Sequence, residues 1–120
     1  MVLSSDYAAG MSIERLQEPS FLILTALAGG PRHGYALLEE IADLSGGAVR
    51  LRVGSLYGAL DRLAGQGLIE VDREEVVDSR LRRYYRLSAA GAQRLAVEAT
   101  RVHRQASAAI RRLKLGGAPA

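Results

Sequence analysis

Residues 51–70 read LRVGSLYGALDRLAGQGLIE, and this stretch decides the fold. Leucines recur at helical spacing, which predicts an amphipathic helix that begins at Gly54–Ser55, with Ser55 as its N-cap, and ends at Gly67. The predicted apolar face consists of Leu56, Leu60, Leu63 and Ala64, and the opposite face of Ser55, Gly58, Ala59, Arg62 and Gln66.

A β-hairpin is predicted directly after this helix. Residues 68–73 and 81–87 form its two strands, and the charged segment 74–80 forms an exposed, partly basic tip. Ser88 is a good N-cap for the alanine-rich helix that follows and that runs to about Leu113.

Two further helices precede residue 51. The first begins at residues 18–20 and ends at 29–31, where two glycines precede a proline. The second runs from about Gly34 to residues 46–47, and Val49–Val53 alternates with the period of a short, half-buried strand. The apolar stripe of the second helix is predicted to contain Tyr35, Leu38, Ile41 and Ala42, with Leu44 beside them.

This order of elements predicts an α+β, mostly α fold: a winged helix-turn-helix with a C-terminal dimerisation helix. In such a fold the third helix enters the major groove of DNA and the hairpin, or wing, touches the flanking backbone. The expected divisions are an N-terminal arm (1–15), a winged-helix DNA-binding domain (16–88), a dimerisation helix (89–115) and a flexible tail (116–120).

Four short motifs in this order resemble the PadR family of bacterial transcriptional regulators. They are His33-Gly34-Tyr35, Gly54-Ser55-Leu56-Tyr57 with Leu60, Arg62 and Leu63, Gly67-Leu68-Ile69, and Tyr85-Arg86-Leu87-Ser88 with Gly91. The resemblance covers residues 19–91. This chain departs from the family pattern at Gly58, where proline is frequent, and at the wing tip (77–81), which lacks a Gly-Arg-Pro-like turn.

The resemblance implies a homodimeric repressor that releases a palindromic operator when an unidentified small-molecule effector binds. Some relatives bind flat drugs between tryptophans of the dimerisation helix. This chain has no tryptophan, so that arrangement is excluded here. The alternative is a winged-helix protein-interaction module that does not bind DNA, which we would expect to lack a basic wing.

Composition excludes several other classes. The 120 residues contain no cysteine and two histidines, which excludes a disulfide scaffold, a thiolate metal site and a cysteine nucleophile. We see no phosphate loop, metal-ligand spacing or nucleophile elbow, so we expect neither an enzyme nor a cofactor. No apolar run fits a membrane span and the first residues do not resemble a signal peptide, so we expect a cytoplasmic protein.

The net charge of +3 is unevenly distributed. Residues 1–49 contain two arginines against six acidic residues, whereas residues 79–114 contain ten basic residues and one acid, Glu98. Such asymmetry favours a polyanionic partner, and double-stranded DNA is the expected one.

Six residues are candidate DNA contacts: Ser55, Tyr57, Arg62, Arg80, Arg82 and Arg83. Ser55 lies at a helix N-terminus, where a phosphate is favoured, although it could serve as a cap alone. Tyr57 could bind a phosphate or be buried, and Arg62 could bind a phosphate or pair with an acid. Alternation places Arg82 and Arg83 on opposite faces of the wing, so at least one wing arginine is expected to reach DNA.

The last helix contains an a/d pattern that predicts a homodimer seam. A twofold dimer would present its recognition helices to half-sites on the order of 34 Å apart. The histidines are expected to have structural or solvated roles, His33 at the start of the second helix and His103 beside the seam. The seam consists of Leu95, Ala99, Val102, Ala106, Ala109 and Leu113, with Ile110 beside it.

Overall fold

The computed structural model describes residues 15–116 and contains four helices and a small antiparallel sheet within that range. The predicted fold class is confirmed. The predicted arm and tail lie outside the described residues, apart from Arg15 and Gly116. In chain order the elements are α1 (Glu18–Ala28), β1 (Arg32–His33), α2 (Gly34–Leu44), α3 (Val53–Gly65), β2 (Ile69–Val77), β3 (Arg80–Leu87) and α4 (Ala89–Gly116).

The core lies where α1 crosses α2, α3 and the base of the hairpin. Helix α1 buries most of its circumference, because six of its eleven residues are buried. Burial of this much aliphatic surface is the main favourable contribution to folding, at roughly 25 cal/mol per Å². The largest fully buried side chains are Ile23, Leu24, Leu37, Ile41, Leu56 and Leu60.

The predicted strand at Val49–Val53 is wrong. Residues 46–52 form an irregular connection, in which the Ser45 hydroxyl accepts from the Val49 amide at 2.9 Å and donates to the Ala42 carbonyl. Val49 and Leu51 do pack against the core, which explains the alternation. The sheet order is β1-β3-β2, so the edge of β3 opposite β2 is paired with Arg32–His33 and not with this segment.

Helix α3 also begins differently from the prediction. It starts at Val53 with Arg52 as N-cap, so Ser55 lies inside the first turn and does not cap the helix. Ala59 is 2% exposed and belongs to the core face, whereas Ala64 is exposed. Glycine still ends the helix, because Gly67 adopts a φ of 75° just after it.

The apolar stripe of α2 is displaced from its predicted position. Leu37 and Ile41 are its buried residues, Leu38 is half-buried, and Tyr35 is 73% exposed. Leu44 is exposed as well. The face of α2 that carries Tyr35 is therefore free for contacts outside the core.

The hairpin is longer than predicted, because most of the segment 74–80 is paired strand. β2 and β3 are antiparallel, with a bulge at Asp72 and a turn at Asp78–Ser79. Both turn residues have positive φ, 52° and 65°, which matches the right-handed twist of the strands on either side.

Helix α4 leaves the hairpin through a tight junction. The Gly91 amide donates to the Ser88 hydroxyl at 3.0 Å, which confirms Ser88 as the N-cap, and that hydroxyl donates to the Gly67 carbonyl at 2.6 Å. Gly91 is buried, and a Cβ there would overlap the Leu68 carbonyl. Glycine at this position lets α4 pack directly on the chain entering β2.

Candidate nucleic-acid interface

An open groove of about 560 Å³ separates the wing from the N-terminal ends of α2 and α3. Three elements that are distant in sequence build it, and arginine and tyrosine side chains face into it. The residues lining it are His33, Gly34, Tyr35, Tyr57, Val77, Asp78, Arg80, Leu81, Arg82 and Arg83.

Tyr57 forms the wall of the groove on α3. Its side chain crosses to α2 and lies on Gly34, so that a Cβ at Gly34 would overlap the phenol ring and hydroxyl. Tyr57 is nevertheless 44% exposed, so the interpretation as a buried tyrosine is wrong. Gly34 and Tyr57 thus occupy one site, which gives a physical reason for the glycine after His33 and the tyrosine in α3.

His33 holds the base of the groove in place. Its Nδ1 accepts from the Ala36 amide at 3.5 Å as the N-cap of α2, and its ring meets the edge of the Tyr84 ring with centroids 5.3 Å apart. Desolvation lowers the pKa of His33 below its usual 6.5, and the charge of Arg82 lowers it further. The predicted structural role of this histidine is confirmed.

The strand register divides the wing residues between two faces. Arg82 lies opposite Glu75, and Arg80 opposite Val77, on the face that contains Tyr84. Arg83 lies opposite Glu74 on the other face, as the alternation predicts.

Ion pairing distinguishes these arginines further. Arg83 Nε donates to Glu74 Oε2 at 2.7 Å, and this hydrogen bond raises the pKa of Arg83. Arg86 donates to Glu70 at 2.8 Å and to Asp72 at 3.4 Å. Within residues 15–116, Arg80 and Arg82 form no ion pair, so their charges are available to a polyanion.

Sequence reasoning missed two aromatic features of this surface. Tyr35 projects into the groove although it was assigned to the core, and the Arg73 guanidinium lies 3.8 Å from the centroid of Tyr84. A tyrosine at the first turn of a helix, next to a histidine cap, could have indicated a surface position. The stacking of Arg73 depends on the bulge at Asp72, for which the sequence has no clear signal.

The solvent face of α3 is unusually bare, because Gly54, Gly58 and Gly65 lie along it. A Cβ at Gly54 or Gly65 would meet nothing within 4 Å, and one at Gly58 would meet the Arg62 guanidinium at 3.9 Å. Packing therefore does not require these glycines, although each costs helix stability of roughly 1 kcal/mol relative to alanine.

The six predicted contacts do not all lie together. The groove collects Tyr57, Arg80, Arg82 and Arg83, and Ser55 is exposed on the first turn of α3 nearby in sequence. Arg62 is exposed on the opposite flank of α3 from Tyr57 and lines a different cavity, with Arg15 and Arg94.

The predicted seam residues lie in two different environments along α4. Leu95 packs against the core, and Ala99 is half-buried. Beyond residue 101 the predicted seam residues are exposed, among them Val102 at 40%, Ile110 at 53% and Leu113 at 73%.

A buried carboxylate was also missed. Glu98 is 6% exposed and pairs with Arg101 one turn later. This hydrogen bond, together with one from the Leu16 backbone, lowers the pKa of Glu98. The sequence shows Glu98 only as the one acid of a basic segment. In the structure, the Glu98 carboxylate bonds to the Leu16 backbone and so connects the chain before α1 to α4.

Three helices, a long two-stranded wing and a short third strand define a winged helix-turn-helix protein of the type that transcriptional regulators use. Residues 23–97 match the transcriptional regulator PadR-like family. The chain therefore belongs to the PadR-like family of transcriptional regulators, as its four motifs predict, and it is not an enzyme.

Curated relatives share part of the chain. A 37.1 kDa uncharacterised protein from a Streptomyces fradiae transposon is 49% identical over 55 residues, which are 46% of this chain and 15% of that protein. An uncharacterised protein of Lysinibacillus sphaericus is 29% identical over 70 residues, 58% of this chain and 64% of that protein. The chain thus spans less than two thirds of the length of either relative.

Solved structures share the fold. A PadR family regulator from Clostridium difficile superposes with a TM-score of 0.68 at 20% identity, covering 81% of this chain and 99% of that chain. A PadR family regulator from Eggerthella lenta gives 0.63 at 24% identity and covers 94% and 97%. Bacillus subtilis PadR in complex with operator DNA gives 0.60 at 22% identity and covers 67% and 45%.

No helix within residues 15–116 is long and apolar enough to cross a membrane. The same residues contain no cluster of histidine, aspartate and glutamate suited to a metal ion.

Proposed function

We propose that this chain is a sequence-specific DNA-binding repressor that acts as a homodimer on a palindromic operator and responds to an effector. The observation that carries the proposal is the groove, in which two arginines without acid partners among the described residues face Tyr57 and the exposed start of α3. The chain also shares its fold with Bacillus subtilis PadR, whose solved complex contains operator DNA, and this supports the same proposal.

The wing arginines suit the DNA backbone. Guanidinium groups bind phosphate oxygens through charge-assisted hydrogen bonds, and neutralised phosphates release counterions. Arg80 and Arg82 can bind phosphate without breaking an internal pair. Arg83 must leave Glu74, but both side chains of that pair are about half exposed, so the exchange costs little.

Helix α3 suits the major groove. Its bare glycine face allows the helix backbone to approach base edges and sugar closely, and Ser55 adds a hydroxyl near the N-terminus of the helix. The Tyr57 hydroxyl, at the edge of the groove, can donate to a phosphate between helix and wing. Arg62 reaches DNA in this proposal only from the far flank of α3.

The experiment that tests DNA recognition starts with selection of bound sequences from a random duplex library. We expect an enriched inverted repeat, and we expect Tyr57→Ala to weaken its binding about tenfold in a fluorescence anisotropy titration. Tyr57→Phe, which keeps the ring on Gly34, is the matched control for folding. If no sequence is enriched and salt has no effect on binding, the chain is a protein-interaction module instead.

Dimerisation is proposed through the exposed part of α4. About 42 Å of helix extends from Ser88, and its second half places small and aliphatic side chains at a/d positions outside the core. A second copy of α4 would cover Val102, Ile110 and Leu113, and the alanines would allow close approach.

The proposed dimer can be tested by introducing a charged residue into the seam. Val102→Glu is expected to shift the sedimentation coefficient to that of a monomer, because it buries an unpaired carboxylate between the helices. Val97→Glu is the control, since Val97 is 64% exposed and lies on the opposite side of α4 from the seam. A dimer that survives Val102→Glu places the interface elsewhere.

A further inference from the structure

The strand register of the wing places glutamates of β2 directly opposite arginines of β3. Side chains of opposite charge in such positions are close enough to pair across the strands. The facing residues are Glu70 and Arg86, Glu74 and Arg83, and Glu75 and Arg82. The first two pairs are hydrogen-bonded, at 2.8 and 2.7 Å. The third is not, since Arg82 forms no ion pair with any described residue. Register alone does not explain this difference.

The carboxylate that Arg82 faces is occupied by another arginine. Arg73 Nε donates to Glu75 Oε2 at 3.4 Å. Arg73 and Glu75 are two residues apart on β2, so both lie on the face of the wing that carries Arg82 and Tyr84. Glu75 therefore pairs along its own strand and not across to β3.

Two further contacts hold Arg73 in this position. Its Nη1 donates to Asp72 Oδ2 at 3.1 Å, and its guanidinium lies 3.8 Å from the centroid of the Tyr84 ring. The edge of that ring is in turn held against His33. Arg73 and Glu75 are both about half exposed, and an exposed ion pair exchanges partners easily. The added hydrogen bond and cation–π contact therefore favour Arg73 as the partner of Glu75.

We propose that Arg73 is a positioning residue that keeps Arg82 unpaired by holding Glu75, and so leaves the Arg82 guanidinium available to a DNA phosphate. Arg73 is not among the residues that line the groove, so its effect on DNA passes through Glu75. The consequence for DNA binding rests on the proposed function. The competition of two arginines for one carboxylate does not, and it can be measured without DNA.

The first experiment observes the Arg82 guanidinium by NMR in the free, intact protein. Arg73→Gln should allow Glu75 to pair with Arg82, so the Nε–Hε signal of Arg82 should shift and its proton should exchange more slowly with water. The double variant Arg73→Gln/Glu75→Gln should return that signal to its wild-type position. An Arg82 signal that is the same in wild type and Arg73→Gln overturns the proposal.

The second experiment measures binding to the selected operator duplex by fluorescence anisotropy. Arg73→Gln should weaken binding about tenfold, because Arg82 is then paired internally and one phosphate contact is lost. Glu75→Gln added to Arg73→Gln should restore the affinity to within about threefold of wild type. The matched control is Arg73→Gln/Glu70→Gln, which has the same net charge. It should stay about tenfold weak, because Glu70 lies opposite Arg86 and not Arg82.

The outcomes separate this proposal from simpler roles of Arg73. Weak binding in Arg73→Gln that Glu75→Gln does not restore would show that Arg73 contacts DNA itself, and it overturns the proposal. Equal restoration by Glu70→Gln would show an effect of net charge alone and overturns it as well. If the Arg82 signal responds as expected but no duplex binds even the wild type, the competition for Glu75 stands and the proposed function fails.

Discussion

The two ends of the wing differ in how firmly they are tied to the rest of the molecule. At the wing root (residues 67–71 and 84–88), Ile69 and Tyr85 are buried in the core, and Ser88 bonds to Gly67 and Leu68. At the wing tip (residues 74–83), Val76 is 74% exposed and Leu81 is 62% exposed, although the two face each other across the strands. Packing in the core fixes the root, whereas the tip is held by its ladder of backbone hydrogen bonds and by the exposed Arg83–Glu74 ion pair.

The two ends also differ in how their arginines are paired with acidic side chains. The root arginine, Arg86, bonds to Glu70 and Asp72, whereas Arg80 and Arg82 at the tip form no ion pair within residues 15–116. Arg86 at the root and Arg83 at the tip thus have internal ionic partners, whereas partners for Arg80 and Arg82 must come from outside the described residues. The bulge at Asp72 separates the two ends, and bulges strengthen the local twist of the strands.

The largest effect is expected from Gly91→Ala, which breaks the root. The new Cβ would overlap the Leu68 carbonyl, which itself accepts from the Ser88 amide at 3.1 Å, so α4 must shift away from the hairpin. We expect a loss of about 3 kcal/mol in the free energy of unfolding, measured by urea denaturation.

Gly58→Ala is the control for a glycine replacement in this chain. Its Cβ meets the Arg62 guanidinium at an ordinary 3.9 Å, so the higher helix propensity of alanine should stabilise the protein by about 0.5–1 kcal/mol. Equal stability of Gly91→Ala and wild type would mean that the root is not closely packed on α4.

A smaller effect, on binding alone, is expected at the tip. Arg82→Gln should weaken operator binding about tenfold and reduce the slope of log affinity against log salt by about 1, because one phosphate contact is lost. Arg86→Gln removes the same charge at the root and should leave the slope unchanged. Anisotropy titrations at several salt concentrations measure both, and similar slopes for the two variants would remove the distinction between root and tip.

Much of the root was predictable from sequence, since its signals are local. Ser88, Gly67 and the leucines of α3 follow capping and periodicity rules that act within one turn. The hairpin also followed from two strand-like segments, although its charged middle concealed how far pairing extends. Cross-strand ion pairs such as Arg83–Glu74 account for the difference, because they make charged residues acceptable in a paired strand.

The groove was less predictable because its geometry depends on contacts across the chain. The alternation at Val49–Val53 reflects packing of Val49 and Leu51 against the core, while β1, a strand of two residues, takes the edge of β3. Tyr35 was predicted to lie in the core. Periodicity shows that a helix is half-buried, but it does not show which side of the helix is covered by other elements. Arg62 has the charge of a DNA contact, and only the packing of α1 and α4 shows that it faces another cavity.

The smallest effect is expected at His33, which interacts with both ends of the wing. Its ring contacts Tyr84 at the root, and its pKa is lowered by desolvation and by the charge of Arg82 at the tip. Its folded pKa is lowered, so below pH 6.5 the unfolded chain binds more protons than the folded one. Stability is therefore complete above pH 6.5 and declines as pH falls from 6.5 to the folded pKa. His33→Asn keeps a capping side chain without this titration and should abolish that part of the decline. Glu98, whose pKa is lowered from 4.5, contributes a loss only at more acidic pH.

The pKa of His33 can also show whether DNA contacts the wing tip. Removing the Arg82 charge should raise the pKa of His33, and neutralising that charge with a DNA phosphate should raise it in the same direction, whereas Arg86→Gln should leave it unchanged. NMR titration of the His33 ring, free and with operator duplex, measures this. A pKa that moves on Arg82→Gln but not on DNA binding would show that Arg82 influences the groove without contacting DNA, and the phosphate contact would then belong to Arg80 or Arg83.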